Sequence, residues 1–328
     1  MYETDLEARI FSQDLDFEDL AFELFRFQYD TNEVYRDFAN LVQKKPSSVS
    51  KLEEIPFLPL SFFKTHSVRS FSQNEKPELI FRSSATSGMT RSSHEIKNAS
   101  LYQKSFLYGF EKQFGHPSQY CILALLPGYL EREDSSLVYM VHQLMQKSTH
   151  PNNGFFLNNQ NELIGVLNEL EAKQQPTLLF GVTFALIDLA GKMNFPLNST
   201  RVVETGGMKG RGVEWSKPEL HNFLTQGFQT HAIISEYGMT ELLSQAYAMQ
   251  DGLFIPPEWM RILIRDEYDP LSVQNSGRGA LNIIDLANIY SCAFLATEDI
   301  GICFDNGSFQ VLGRQDHSEM RGCSLLVV

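Results

Sequence analysis

Along the first 45 residues, apolar positions recur at helical spacing: Leu20, Leu24 and Phe27, then Val34, Tyr35, Phe38, Leu41 and Val42 beyond a polar break at Asp30, Thr31 and Asn32. Two amphipathic helices are predicted there, with side chains at the break suited to capping. From Ile55 to His66 the chain reads "IPFLPLSFFKTH", where Pro56 and Pro59 interrupt any helix and predict an extended segment laid across a core. From about residue 77 the pattern alternates. Short runs rich in branched apolar residues, "ELIFR", "CILALL", "TLLFG", "RVVE" and "AIIS", separate helix-like stretches at 99–114, 135–147, 162–174, 184–193 and 217–225. After residue 258 helical spacing stops, and "WMRILIR", "GALNIIDL", "GICF" and "SFQVLG", divided by turns such as "FDNGS", predict an antiparallel meander or partial barrel.

The alternation predicts an α/β fold, a layered and mainly parallel sheet with a helical N-terminus and a small antiparallel β subdomain. Four regions are expected: residues 1–76, helices and an extended segment on the core; 77–257, the α/β core; 258–312, the β subdomain; and 313–328, a tail.

Composition changes this picture little and narrows function. The 328 residues are 43% hydrophobic and 20% charged, enough for a large core without metal or disulfide support. A net charge of -13 argues against a phosphate-tracking groove, so no nucleic acid is expected as partner. Cys121, Cys292, Cys303 and Cys323 lie far apart, with no CxxC pair, which argues against a zinc site and a disulfide framework. The longest apolar stretches are too short to span a bilayer and the N-terminus "MYETDLEARI" is acidic, so a cytoplasmic protein with no membrane span is expected.

In alternating folds, ligands sit at the carboxyl ends of strands, and four loops there carry candidate chemistry. "FRSSATSGMTRSS", Phe81 to Ser93, follows the strand "ELIF"; small hydroxyl residues around a glycine can turn N–H and O–H groups toward a polyphosphate, or form a plain solvated turn. It is not a Walker loop. "VVETGGMKGRG" brings Gly206 and Gly207, bare backbone on which a planar ring can lie, with Lys209 and Arg211 beyond; a mobile surface loop is the bland alternative. "IISEYGMTE" delivers Tyr237, then Thr240 and Glu241, a hydroxyl and a carboxylate suited to phosphate and Mg2+. "FLATEDIG" and "VLGRQD" supply Asp299 and Arg314, a pair able to bracket a ribose.

In this order, with YGMTE and GRQD as the specific matches, the loops are similar to the adenylate-forming superfamily of acyl-CoA ligases and luciferase-like enzymes. Within it, "FQYDTNEVYRDF", "IPFLPLSFFKTH", "FRSSATSG" and the terminal "RGCS" resemble the LuxE-type acyl-protein synthetases, over nearly the whole chain. The resemblance implies an N-terminal adenylation domain without the mobile C-terminal domain and its lysine, since the sequence stops at Val328. It implies ATP and Mg2+ as cofactors, a fatty or other hydrophobic carboxylic acid as substrate, an acyl-adenylate, and transfer to a thiol. Ser83, Ser84, Thr86, Ser87 and Gly88 would meet the phosphates, Gly206, Gly207 and Tyr237 the adenine, and Thr240 the α-phosphate. Glu241 would hold Mg2+, Asp299 the ribose and Arg314 the ribose or phosphate side, while Cys323 would accept the acyl group for an acyl-CoA-reductase-like protein partner. Ala85 stands where the family pattern has Gly, and the lysine's role is unassigned, with Lys209, Arg211 or a residue of a partner as candidates. His317 beside Asp316 reads as hinge-region surface, with deprotonation of Cys323 as the alternative. Two other functions stay open: a CoA or carrier-protein ligase using a free phosphopantetheine thiol, and a non-catalytic nucleotide-binding subunit.

Overall fold

The structure, a computed structural model, describes residues 2–84, 90–126, 134–157, 159–206 and 215–315. Three helices open it: α1 (Tyr2–Ile10), α2 (Phe17–Thr31) and α3 (Glu33–Leu41). The break falls at Asn32, which ends α2 and caps α3 by accepting from the Tyr35 N–H at 3.0 Å. The first helix was not foreseen because its buried face rests on Leu6 and Ile10, too short a stripe for periodicity to reveal. Buried polar groups tie the bundle to a distant turn. Gln28 Nε2 donates to the carbonyls of Asn288 and Ile289, and Asn32 Nδ2 donates to that of Ser291.

The proline-interrupted segment is extended as expected at β1 (Leu58–Pro59), then turns into the one-turn helix α4 (Phe62–Thr65). Next come β2 (Leu79–Arg82), β3 (Ser93–Ile96), α5 (Ala99–Phe114), β4 (Cys121–Leu125), α6 (Ser136–Ser148), β5 (Gly154–Phe156) and α7 (Gln160–Ala172). They are followed by β6 (Thr177–Val182), α8 (Thr183–Ala190), β7 (Thr200–Thr205), α9 (Lys217–Phe228), β8 (Ile233–Tyr237) and β9 (Ala246–Ala248). The central sheet runs β5-β4-β6-β7-β8-β9, parallel throughout except for β9. "ELIFR" is the exception to the expected alternation, because β2 pairs antiparallel with β3 in a separate hairpin. Its burial explains why. Every residue of β4 and β6 is buried, as a strand covered on both faces requires, whereas Ile80 and Arg82 of β2 are exposed.

The last part forms a second sheet from β10 (Met260–Arg265), β11 (Val273–Gln274), β12 (Gly277–Asp285), β13 (Phe294–Cys303) and β14 (Phe309–Arg314). Its pairs are antiparallel, as expected, except that β1 joins β13 in parallel through Leu58–Leu295 and Pro59–Ala296. Pro59 is tolerated there because β1 is an edge strand with no ladder to continue. The expected α/β fold with a helical N-terminus and an antiparallel β portion is therefore the one observed.

Candidate functional site

The parallel strands β7 and β8 end where Gly206 and "YGMTE" begin, the position at which such sheets bind ligands. Tyr237 closes β8 with its ring buried, edge-on to Phe309 and tilted against Phe254. Its hydroxyl donates to Asp299 Oδ2 at 2.8 Å. Asp299 faces Arg314 across the β13–β14 ladder, and Arg314 Nε donates to Asp299 Oδ1 at 3.0 Å. One buried carboxylate thus holds a phenol from the parallel sheet and a guanidinium from the antiparallel one. The Arg314 side chain is 74% exposed, so most of the guanidinium stays at the surface. Burial and the Asp299 charge push the Tyr237 phenol well above its ordinary range, so it remains a donor.

Thr240 and Glu241 are held from behind. His94, on β3, lies 2.8 Å from the Thr240 carbonyl through Nδ1 and 2.8 Å from Ser291 Oγ through Nε2. A carbonyl can only accept, so Nδ1 carries the proton and Nε2 accepts from the Ser291 hydroxyl. Burial pushes His94 down to about 4, which keeps the ring neutral. Phe63 of α4 packs edge-on against that ring, with centroids 5.6 Å apart. The Glu241 carbonyl accepts from Asn288 Nδ2 at 2.8 Å, and the Glu241 side chain is buried. Burial raises its pKa, against the Ser92 hydroxyl hydrogen-bonded to the carboxylate and the positive charges of Arg314 and Lys64. Beyond the loop, Asp285 accepts from the N–H groups of Leu243 and Ser244, fixing the chain that leaves it.

Of the hydroxyl-rich loop, Ser83 and Ser84 are described. Ser83 Oγ accepts from the Ser92 N–H at 2.9 Å, and the Ser83 carbonyl from Arg91 Nε at 2.7 Å, closing the neck of the hairpin. Arg91 also reaches Asp134 at 2.8 Å, and Ser84 is exposed. Gly206 has φ +73°, a conformation that favours glycine, and Thr183 Oγ1 lies 2.9 Å from its carbonyl and 2.6 Å from Glu204. Thr86, Ser87, Gly88 and Gly207 lie outside the described residues, as do Ala85, Lys209, Arg211, His317 and Cys323. Tyr237, Asp299 and Arg314 are therefore joined directly, Thr240 and Glu241 extend from the same strand, and Ser83 reaches them through Ser92.

A family model described as acyl-protein synthetase, LuxE, matches residues 12–328. The chain belongs to that family. No curated protein matches it in sequence. Among solved structures it is similar to ATP-bound MatB from Rhodopseudomonas palustris, with TM-score 0.52 and 14% identity over 72% of this chain and 47% of that one. It is also similar to O-succinylbenzoate coenzyme A synthetase (MenE) from Bacillus subtilis, a complex with ATP and magnesium, with TM-score 0.51 and 17% identity over 74% and 51% of the two chains. The luciferase-like enzyme from the mealworm Zophobas morio gives TM-score 0.51 and 18% identity over 76% and 60%. This LuxE-family chain thus has the fold of adenylate-forming N-terminal domains and spans roughly half the length of MatB and MenE.

The family assignment sharpens what sequence reasoning overlooked. His94 and Ser291 carry no motif, and Ser92 was not singled out within the hydroxyl-rich loop, since each is recognisable only once β3 is seen against the YGMTE loop. Two buried glutamates, Glu204 and Glu236, also went unremarked because each sits in an ordinary strand run. Glu204 pairs with Lys217 at 2.6 Å, while Glu236, held by the Thr205 hydroxyl, is pushed up to about 7 by burial. Among the described residues no cluster of three or more His, Cys, Asp or Glu can hold a metal, and no helix is long and apolar enough to cross a membrane.

Proposed function

We propose that the chain uses ATP to activate a fatty or similar hydrophobic carboxylic acid as an acyl-adenylate, takes the acyl group on Cys323 as a thioester, and passes it to an acyl-CoA-reductase-like partner. The observation that carries this is the hydrogen-bonded trio Tyr237–Asp299–Arg314 beside Thr240 and Glu241, in a chain of the LuxE family. A carboxylate oxygen of the acid attacks the α-phosphorus, forming an acyl–O–P bond and breaking the α–β bridge with release of pyrophosphate. The Cys323 thiolate then attacks the acyl carbon and AMP leaves.

Each role has its physical support. Asp299, with one oxygen on Tyr237 and the other on Arg314, keeps lone pairs for ribose hydroxyls, and the exposed part of Arg314 suits the ribose or phosphate side. The positive φ of Gly206 lets bare backbone face the adenine beside Gly207 and Tyr237. Thr240 offers a hydroxyl to the α-phosphate, and Ser83, Ser84, Thr86, Ser87 and Gly88 cradle the outer phosphates. A single carboxylate with a nearby hydroxyl fits Mg2+ that is bound largely by nucleotide phosphates and water, so Glu241 is its protein ligand. The ion's part is to offset phosphate charge. With this function goes a division of labour in which residues 77–257, 258–312 and Arg314 at the start of the tail build the site, and the rest of 313–328 forms the acyl-carrying arm.

Cys323 gains support from the other cysteines. Cys121, Cys292 and Cys303 are buried, and burial pushes the first two thiols up to about 12 and raises the third, which suits none of them to nucleophilic attack. The test is to incubate the protein with Mg·ATP and labelled tetradecanoate. Hydroxylamine-labile label on the wild type, absent from Cys323→Ser while pyrophosphate release persists, is the expected result. Equal labelling of Cys323→Ser would refute the acceptor, and no pyrophosphate release with any acid would refute the activity.

A further inference from the structure

The segment "IPFLPLSFFKTH" has so far had only a structural part, yet its position says more. The chain hydrogen-bonds along β13 through Leu58 and Pro59, and the Leu60 N–H donates to the Ala296 carbonyl at 3.2 Å, three residues before Asp299. The next turn is α4, whose Phe63 packs on the imidazole that holds the Thr240 carbonyl. Lys64 therefore follows a residue anchored to the YGMTE loop, on a segment anchored to the strand of the ribose-binding carboxylate. It is half-buried, and its charge reaches the Glu241 carboxylate.

Among the described residues, the other cations near the site are occupied. Arg91 and Arg82 converge on Asp134, Arg314 is bound to Asp299, Lys217 to Glu204, and Arg265 donates to the Thr297 carbonyl. Lys64 has no hydrogen bond or ion pair among the described residues. A half-buried ammonium that no ion pair holds, next in sequence to the Phe63 that packs on the imidazole holding Thr240, is poised for an incoming negative charge.

We propose that Lys64 is a catalytic residue of this chain, contacting the phosphate group under attack and stabilising the charge that develops there. This rests on the proposed adenylation. The pentavalent phosphorus gathers negative charge as the acid's oxygen bonds and pyrophosphate departs. An ammonium fixed before the reaction offsets that charge without moving, and no proton is transferred.

The test compares wild type with Lys64→Met and Lys64→Arg in the full chain, by ligand-free melting, affinity for ATP and for adenosine in the presence of Mg2+, and acid-dependent pyrophosphate exchange. Lys64→Met should melt as the wild type, bind adenosine unchanged, bind ATP about tenfold more weakly, the scale of one charge-assisted contact, and lose about a hundredfold or more in exchange rate. Lys64→Arg should restore most of the ATP affinity. Unchanged ATP affinity and exchange in Lys64→Met, or equal losses for ATP and adenosine, overturns the inference while wild-type exchange leaves the adenylation standing. If Lys64→Met does not fold, Lys64→Arg decides: ATP affinity retained supports the charge role, and loss of ATP and adenosine affinity together overturns it. A wild type that neither binds ATP nor exchanges pyrophosphate overturns both.

Discussion

Replacing His94 by Asn separates a protonation cost from a packing cost. An Asn amide can place its N–H near the position of Nδ1 and still donate to the Thr240 carbonyl, but it cannot titrate. In the folded chain burial brings His94 from 6.5 down to about 4, so the fold resists a proton that the unfolded chain accepts. The cost is negligible above the unfolded value, grows as pH falls through the window from 6.5 to about 4, and levels off below it. At about 1.4 kcal/mol per pKa unit, the wild type should lose about 2 kcal/mol between pH 8 and pH 5 through this group. The Asn variant should start lower, because it loses the imidazole packed against Phe63 and the bond to Ser291, yet lack that loss. Urea unfolding of both proteins at pH 5, 6, 7 and 8 reads the difference directly, since pH-independent costs cancel. Parallel stability curves across the range would show that His94 is not a buried neutral imidazole, and the tautomer assigned to it would fall.

Glu236 gives the opposite slope. Its folded value of about 7 lies above the ordinary 4.5, so ionisation costs stability as pH rises through that window, and Glu236→Gln should be stabilising by about 3 kcal/mol at pH 8 and under about 1 kcal/mol at pH 5; no gain at pH 8 in urea melts would contradict it. Gly181→Ala should destabilise by about 2 kcal/mol by chemical denaturation, because the added Cβ would stand 2.5 Å from Leu186 Cδ2 in the core; a wild-type midpoint would count against this packing.

Much of the architecture was legible because its signals are local. The long runs of β4, β6, β7 and β8 and the helices between them announce themselves by period, and Asn32 marked the break between α2 and α3 by its capping chemistry. What escaped lacked a period. α1 buries a two-residue stripe, β5 is three residues at a sheet edge, and β2 resembled a core strand until its alternate residues proved exposed. The site was legible through motif resemblance alone, as Tyr237 and Asp299 are 62 residues apart and no pattern in either strand foretells a bond between them. His94 was beyond such reading altogether, and Lys64, although inside the segment "IPFLPLSFFKTH", was marked by no pattern of its own. The partners of His94 lie in loops distant in sequence, and the meaning of both residues comes from β3 and α4 being folded against the end of β8.

The central claim, that the Tyr237–Asp299–Arg314 site with Thr240 and Glu241 activates a carboxylic acid with ATP, is tested most directly by exchange of radiolabelled pyrophosphate into ATP. Exchange should require both Mg2+ and a hydrophobic acid, and should fall by at least about tenfold in Asp299→Ala, the loss expected for one buried charged anchor. Exchange absent from the wild type with every acid tried, or undiminished in Asp299→Ala, would contradict the account.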